Sequence, residues 1–216
     1  QRQMCIRDSL NAAYAGARCI LTVSEDATRC VSMAFPEAQH KLLRIHCFVD
    51  ADRFKPGQSK ENLITYMPRK LADHSSKVLF FLRNHLPAHW HIQAIDGLNE
   101  AGVAKLLKRS KIFMSFSHFE GLGLPPIEAV LSGNQVVGYT GQGGNEYWDE
   151  RAFVRIESGD VVGFAKAVLQ KIQDLEANPS LQQQYDVTER LRQRFSQQQE
   201  LADLQVFLKK MGLIPQ

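Results

Sequence analysis

The chain has 216 residues, 44% of them hydrophobic and 23% charged, with a net charge of +3. This is the composition of a globular protein; it excludes a disordered or collagen-like chain, and so small a net charge gives no footprint for nucleic-acid binding. At about 150 residues per domain, one full domain and part of a second are expected.

Residues 1–9, QRQMCIRDS, show neither periodicity nor a helix cap. They resemble a translated sequencing adapter, so they are expected to be a non-native leader on a chain whose natural start lies earlier. Residues 17–23 form a short apolar run, a strand candidate. Ser24-Glu25-Asp26 then reads as the cap of a helix over 27–35, which ends before Pro36. Residues 42–49 are rich in branched side chains and read as a second strand. Residues 50–60 are polar and contain Pro56-Gly57, the best linker in the chain.

Beyond the linker, strands and helices alternate. Strands are expected at 63–67, 90–95, 111–116, 135–139 and 152–156. Helices are expected at 75–85, 99–108 (with Asn99 as cap), 125–132 and 160–175. Short apolar strands separated by amphipathic helices argue for repeated βαβ units and a parallel sheet, whose ligands bind at the carboxyl ends of the strands. From Asn178 the strands disappear, and 179–195 and 198–211 read as two helices parted near Ser196. No apolar run approaches the roughly 20 residues of a membrane span. The four cysteines, Cys5, Cys19, Cys30 and Cys47, have no C-x-x-C spacing, so neither a zinc site nor a disulfide framework is expected, and a reducing, cytoplasmic setting fits.

The informative stretch runs from Ser115 to Tyr139, SFSHFEGLGLPPIEAVLSGNQVVGY. A strand leads to a loop carrying Glu120, Gly121 and Gly123. Pro125 and Pro126 open a helix, where a missing N–H costs nothing, and Glu128 is placed in its first turn. A helix N-terminus attracts anions, and a carboxylate can accept hydrogen bonds from two neighbouring hydroxyls, as in a ribose diol or a sugar ring. The bland alternative is a carboxylate that complements the helix dipole, beside glycines that only shape a turn.

The string Glu-Gly-x-Gly-x-Pro-x-x-Glu, with a strand before it and Gly133 and a Val-Val strand after it, resembles the Glu-x7-Glu motif of retaining glycosyltransferases with the GT-B fold. Gly143-Gly144-Asn145-Glu146 resembles that family's glycine-rich loop, and Ser158-Gly159-Asp160 the turn opening the next helix. The resemblance implies an α/β chain with a Rossmann-like, doubly wound parallel sheet. Residues 10–55 would be the remnant of an amino-terminal acceptor domain with its linker, 56–177 the donor-binding domain and 178–216 the carboxyl-terminal helices. The last helix in the family crosses back to the first domain, which would account for the apolar stripe of 198–211.

By the same resemblance, the protein would transfer a sugar from a nucleotide-diphosphate donor to a glycan or lipid-linked acceptor, with retention of configuration. Glu120 would contact the donor sugar's hydroxyls and Glu128 the ribose hydroxyls. The backbone of Gly121, Leu122, Gly123 and Leu124 would meet the sugar or diphosphate. Arg69 and Lys70 stand where the family places a basic pair for the leaving diphosphate, although here they are adjacent and in the family they are spaced apart. Asp96 to Leu98, at a strand's carboxyl end, are candidates to touch the base, and Tyr147 and Trp148 to line the cleft or the core. His118 beside the motif, and His89 and His91 with nothing acidic at hand, carry no catalytic or metal assignment. No metal, cofactor or nucleic-acid partner is expected; peripheral membrane contact would come through the first domain, and the isolated chain would bind donor but turn over poorly. Two alternatives stay open: a GT-B epimerase or phosphorylase, and a non-catalytic Rossmann-like module that binds partners through its glutamine-rich helices.

Overall fold

The computed structural model describes residues 10–182 and 184–215, so the expected leader, with Cys5, lies outside the described residues. The chain divides into two compact units. One holds the residues up to Phe48 together with those from Phe195 on; the other is Val49–Arg194. The sequence reading placed its boundaries at 55/56 and 177/178 instead.

The larger unit carries five parallel strands: β3 (Glu61–Tyr66), β4 (His91–Ala94), β5 (Ser110–Glu120), β6 (Gln135–Gln142) and β7 (Phe153–Arg155). Helices fall between them: α2 (Ala72–Leu82), α3 (Glu100–Arg109), α4 (Leu124–Leu131) and, after β7, α5 (Val161–Ala177). Two of these helices start where a short polar side chain supplies the missing acceptor. Asn99 accepts from the Gly102 N–H at 2.9 Å, and Asp160 from the Gly163 N–H at 2.8 Å. The strand order is β4-β3-β5-β6-β7. The chain therefore steps outward from β3 to β4, then returns past β3 to β5. The carboxyl ends of β3 and β5 flank the point of reversal, where open α/β sheets of this order hold their ligands.

The core lies between the sheet and its helices. Phe116 of β5 stacks on Phe164 of α5 with centroids 4.6 Å apart, and Tyr139 of β6 meets both rings edge-on. Ile64, Ile112, Met114 and Val137 fill the strands around them, all fully buried. Truncating a phenylalanine here to alanine would cost about 3–5 kcal/mol.

Several elements differ in extent from the pattern reading. Strands β5 and β6 run on to Glu120 and Gln142, because their pairing continues through Ser117↔Thr140 and Glu120↔Gln142. The mostly polar residues SHFE and TGQ, with Phe119 exposed, hide that extension from a hydrophobicity reading. The expected helix over 179–195 is a 3-10 turn (Pro179–Gln182) followed by α6 (Tyr185–Arg194); the Asn178 side chain accepts from the Ser180 N–H at 3.2 Å and hydroxyl at 2.6 Å, closing a separate turn.

The smaller unit contains β1 (Ile20–Thr22), α1 (Glu25–Ala34), β2 (Leu42–Arg44) and α7 (Gln197–Lys210). Ser24 caps α1, accepting from the Ala27 N–H at 2.9 Å. β1 and β2 pair in parallel over three residues, so the expected strand over 42–49 is cut to its first three. α7 is tied to the chain before Phe48. The Asp203 carboxylate accepts from the His46 N–H at 2.7 Å and lies 2.8 Å from His46 Nδ1, and Glu200 accepts from the Phe48 N–H at 3.0 Å. The last helix thus belongs with the first fifty residues.

Candidate functional site

Met67-Pro68-Arg69-Lys70 follows β3 directly, and Glu120 is the last residue of β5. The switch point therefore brings together residues 50 positions apart, and Lys70 Nζ forms an ion pair with Glu120 Oε1. Arg69 lies beside the next strand's end, with its Nε 3.3 Å from Asp96 Oδ1 after β4. Between the ends of β3 and β4 is a cavity of about 410 Å³, lined by Met67, Arg69, Lys70, Ile95, Gly97 and Leu98 among others.

On the other side of Glu120 the chain turns through Gly121, Leu122 and Gly123 into α4. Gly123 is the residue before the helix and has φ +81°, a left-handed conformation that suits glycine. No side chain caps α4. Pro125 and Pro126 have no N–H, so the donors at this helix start are those of Leu124 and of the loop before it. The second glycine loop packs directly against the first: a methyl at Gly143 would collide with the Gly121 carbonyl. Tyr147, buried at 6% exposure, donates its hydroxyl to the Gly123 carbonyl at 2.6 Å. Burial raises its phenol well above the ordinary value and keeps it the neutral donor.

Glu128 requires a correction. α4 begins at Leu124 and has no acidic residue in its first turn, so Glu128 sits in the second turn and does not complement the helix dipole there. The reason is that Leu124, not Pro125, takes the first helical position after the left-handed glycine. Burial raises the Glu128 carboxyl from 4.5 to about 7, with the Glu100 carboxylate of α3 adding to the effect. A half-buried carboxyl of this kind is poised to ionise when hydroxyl donors reach it.

The arrangement combines cations, free N–H groups and two carboxylates around the carboxyl ends of β3 and β5. Lys70, Arg69 and the start of α4 suit an anionic group; Glu120 and Glu128 suit hydroxyls. The remaining residues singled out from the sequence fall as follows. Tyr147 belongs to the core. Trp148 packs 4.7 Å from Phe153. His118 is exposed, with Nδ1 2.8 Å from Ser158 Oγ. His89 does meet an acid, contrary to the sequence reading: its Nε2 lies 2.6 Å from Glu176 Oε1, brought in from the end of α5. The Tyr147 bond to Gly123 could not be read from the sequence, because no local pattern signals a contact 24 residues back. Among the described residues, no cluster of three or more His, Cys, Asp or Glu could hold a metal, and no helix is long and apolar enough to cross a membrane.

No protein-family model matches the chain. The chain is 32% identical over 149 residues to an alpha-1,6-glucosyltransferase of Actinobacillus pleuropneumoniae serotype 7, an overlap that covers 64% of this chain and 44% of that protein. The chain thus spans less than half the length of the curated relative it matches. Sucrose-phosphate synthase from Thermosynechococcus elongatus superposes with a TM-score of 0.75 at 14% identity, over 96% of this chain and 62% of that one. Anabaena HepE, solved in complex with UDP and glucose, superposes with a TM-score of 0.73 at 14% identity, over 98% and 67%. The expected fold is borne out: the chain has the Rossmann-like α/β fold of GT-B glycosyltransferases.

Proposed function

We propose that this chain carries the donor-binding machinery of a retaining glycosyltransferase, which moves a hexosyl group from a nucleotide-diphosphate donor to a glycan or lipid-linked acceptor. The observation that carries the reading is the Lys70–Glu120 pair at the switch point, next to the uncapped start of α4. The similarity to a glucosyltransferase, and the UDP and glucose held by HepE, support it.

In this reading the diphosphate lies against the Leu124 N–H and the glycine loop. The ribose diol donates to Glu128, and the nucleoside occupies the cavity between β3 and β4. Cleavage of the bond between the anomeric carbon and the leaving oxygen puts negative charge on the diphosphate. Lys70, Arg69 and the fixed N–H groups stabilise that charge as it develops. Lys70 must exchange Glu120 for the diphosphate, which frees Glu120 to accept from a sugar hydroxyl. The charge stabilisation comes from side chains and backbone, and the proposal includes no cofactor. A cytoplasmic setting, with contact at a membrane face, suits a lipid-linked acceptor.

Isothermal titration of the chain with UDP, GDP, dTDP and ADP tests the proposal. One of the four is expected to bind saturably at one site and to lose that binding in Glu128→Gln. Binding by none of them would refute the donor site.

A further inference from the structure

We propose that the Gln142 side chain reads the hydroxyls of the donor sugar, working beside Glu120; this rests on the donor-site reading above. Gln142 is the last residue of β6 and has φ +68° and ψ −65°. That is the rare, strained form of γ-turn, sparsely populated by any residue with a side chain. The loop uses glycine on either side, at 141 and 143. A third glycine at 142 would relieve the strain, yet the position holds a long polar side chain. An observed backbone outlier at the rim of a candidate site is a reason to ask what its side chain does.

Its position gives an answer. Gln142 is the register partner of Glu120 across β5 and β6. The two strand ends touch: a methyl built at Gly141 would lie 3.1 Å from Glu120 Cγ. The Gln142 N–H is bonded to Thr140 Oγ1 at 3.4 Å, and its exposed carboxamide has no hydrogen-bond partner among the described residues. The chemistry is complementary to that of Glu120. An ionised carboxylate only accepts, whereas a carboxamide offers two N–H donors and one acceptor. Together the two side chains can bond a sugar hydroxyl through both its hydrogen and its oxygen, which Glu120 alone cannot do.

The test uses the full chain with UDP and UDP-glucose as probes, or with whichever nucleoside diphosphate binds and its hexose conjugate. In Gln142→Gly the ligand-free melting temperature is expected to rise, because glycine adopts this conformation without strain. Affinity for UDP should stay unchanged, and affinity for UDP-glucose should fall about tenfold, as for loss of a hydrogen bond to a charged or polar partner. Gln142→Asn keeps the amide but shortens its reach, and should fall between the two. If UDP-glucose affinity is unchanged in Gln142→Gly, or if both ligands weaken equally, Gln142 only shapes the loop and the inference fails. If the unmodified chain binds no nucleoside diphosphate, the donor-site reading falls first and takes this one with it.

Discussion

Replacing Glu128 with glutamine should make the empty protein more stable and shrink the stabilisation that nucleotide adds. The fold holds the Glu128 carboxyl at about 7 against an ordinary 4.5. At 1.36 kcal/mol per pH unit, ionising it in place costs up to about 3 kcal/mol, an upper figure because solvent reaches part of the side chain. Between pH 4.5 and 7 the folded chain retains a proton that the unfolded chain has released. Stability therefore falls as pH rises through that window and stays low above it. Glutamine does not titrate. The variant should match the parent near the acid end of the window and melt up to about 10 °C higher at pH 8. With a nucleotide at 100 times its dissociation constant, the parent should gain about 2.7 kcal/mol. The variant should gain much less, because an amide has one acceptor oxygen to offer a diol that donates twice. Calorimetry at pH 5 to 8.5, with and without UDP, reads both effects. A variant no more stable at pH 8 would mean that burial does not strain the Glu128 carboxylate, and one that keeps the full ligand shift would mean that Glu128 does not touch the nucleotide.

The same carboxyl sets a pH dependence of binding. UDP-glucose affinity should rise with pH up to about 7 and lose about tenfold per pH unit below it, since binding needs the ionised form; a profile flat from pH 6 to 8 would remove Glu128 from the site. Lys70→Gln should weaken UDP binding about tenfold while shifting stability by less than about 1 kcal/mol, because the Lys70 end of its pair with Glu120 is about half exposed; titration and urea melts separate the two effects. Tyr147→Phe leaves the Gly123 carbonyl without its 2.6 Å donor, so it should cost about 1–3 kcal/mol in urea unfolding and weaken UDP binding as the start of α4 loosens. Gly143→Ala should lower both the melting temperature and the UDP affinity, since the two glycine loops cannot remain in contact.

Much of the larger unit was legible because its signals are local. Asn99 and Asp160 cap the helices they precede, and strands buried on both faces stand out as apolar runs between amphipathic stretches. What escaped was set at a distance or hidden by polarity. The last residues of β5 are serine, histidine, phenylalanine and glutamate, so Glu120 reads as a loop residue although it ends a strand. The turn that holds Glu128 depends on the left-handed Gly123, which moves the helix start to Leu124. The return of α7 to the first residues is expected from the resemblance, but its anchor, Asp203 meeting His46 157 positions away, is not. The order β4-β3-β5 brings Lys70 to Glu120, and no periodicity records strand order. In the site, residue identities were readable from the motif, whereas the Lys70–Glu120 pairing, the raised Glu128 carboxyl and the Tyr147 bond are products of packing.

A crystal structure of the chain grown with UDP would show whether the carboxyl ends of β3 and β5 hold the donor. The diphosphate is expected against the Leu124 N–H and the Gly121–Gly123 turn. Lys70 would have turned from Glu120 to a phosphate oxygen, and the ribose hydroxyls would lie on the Glu128 carboxylate. A nucleotide seated away from the carboxyl ends of β3 and β5, or one that leaves the Lys70–Glu120 pair intact and Glu128 untouched, would contradict the donor-site reading.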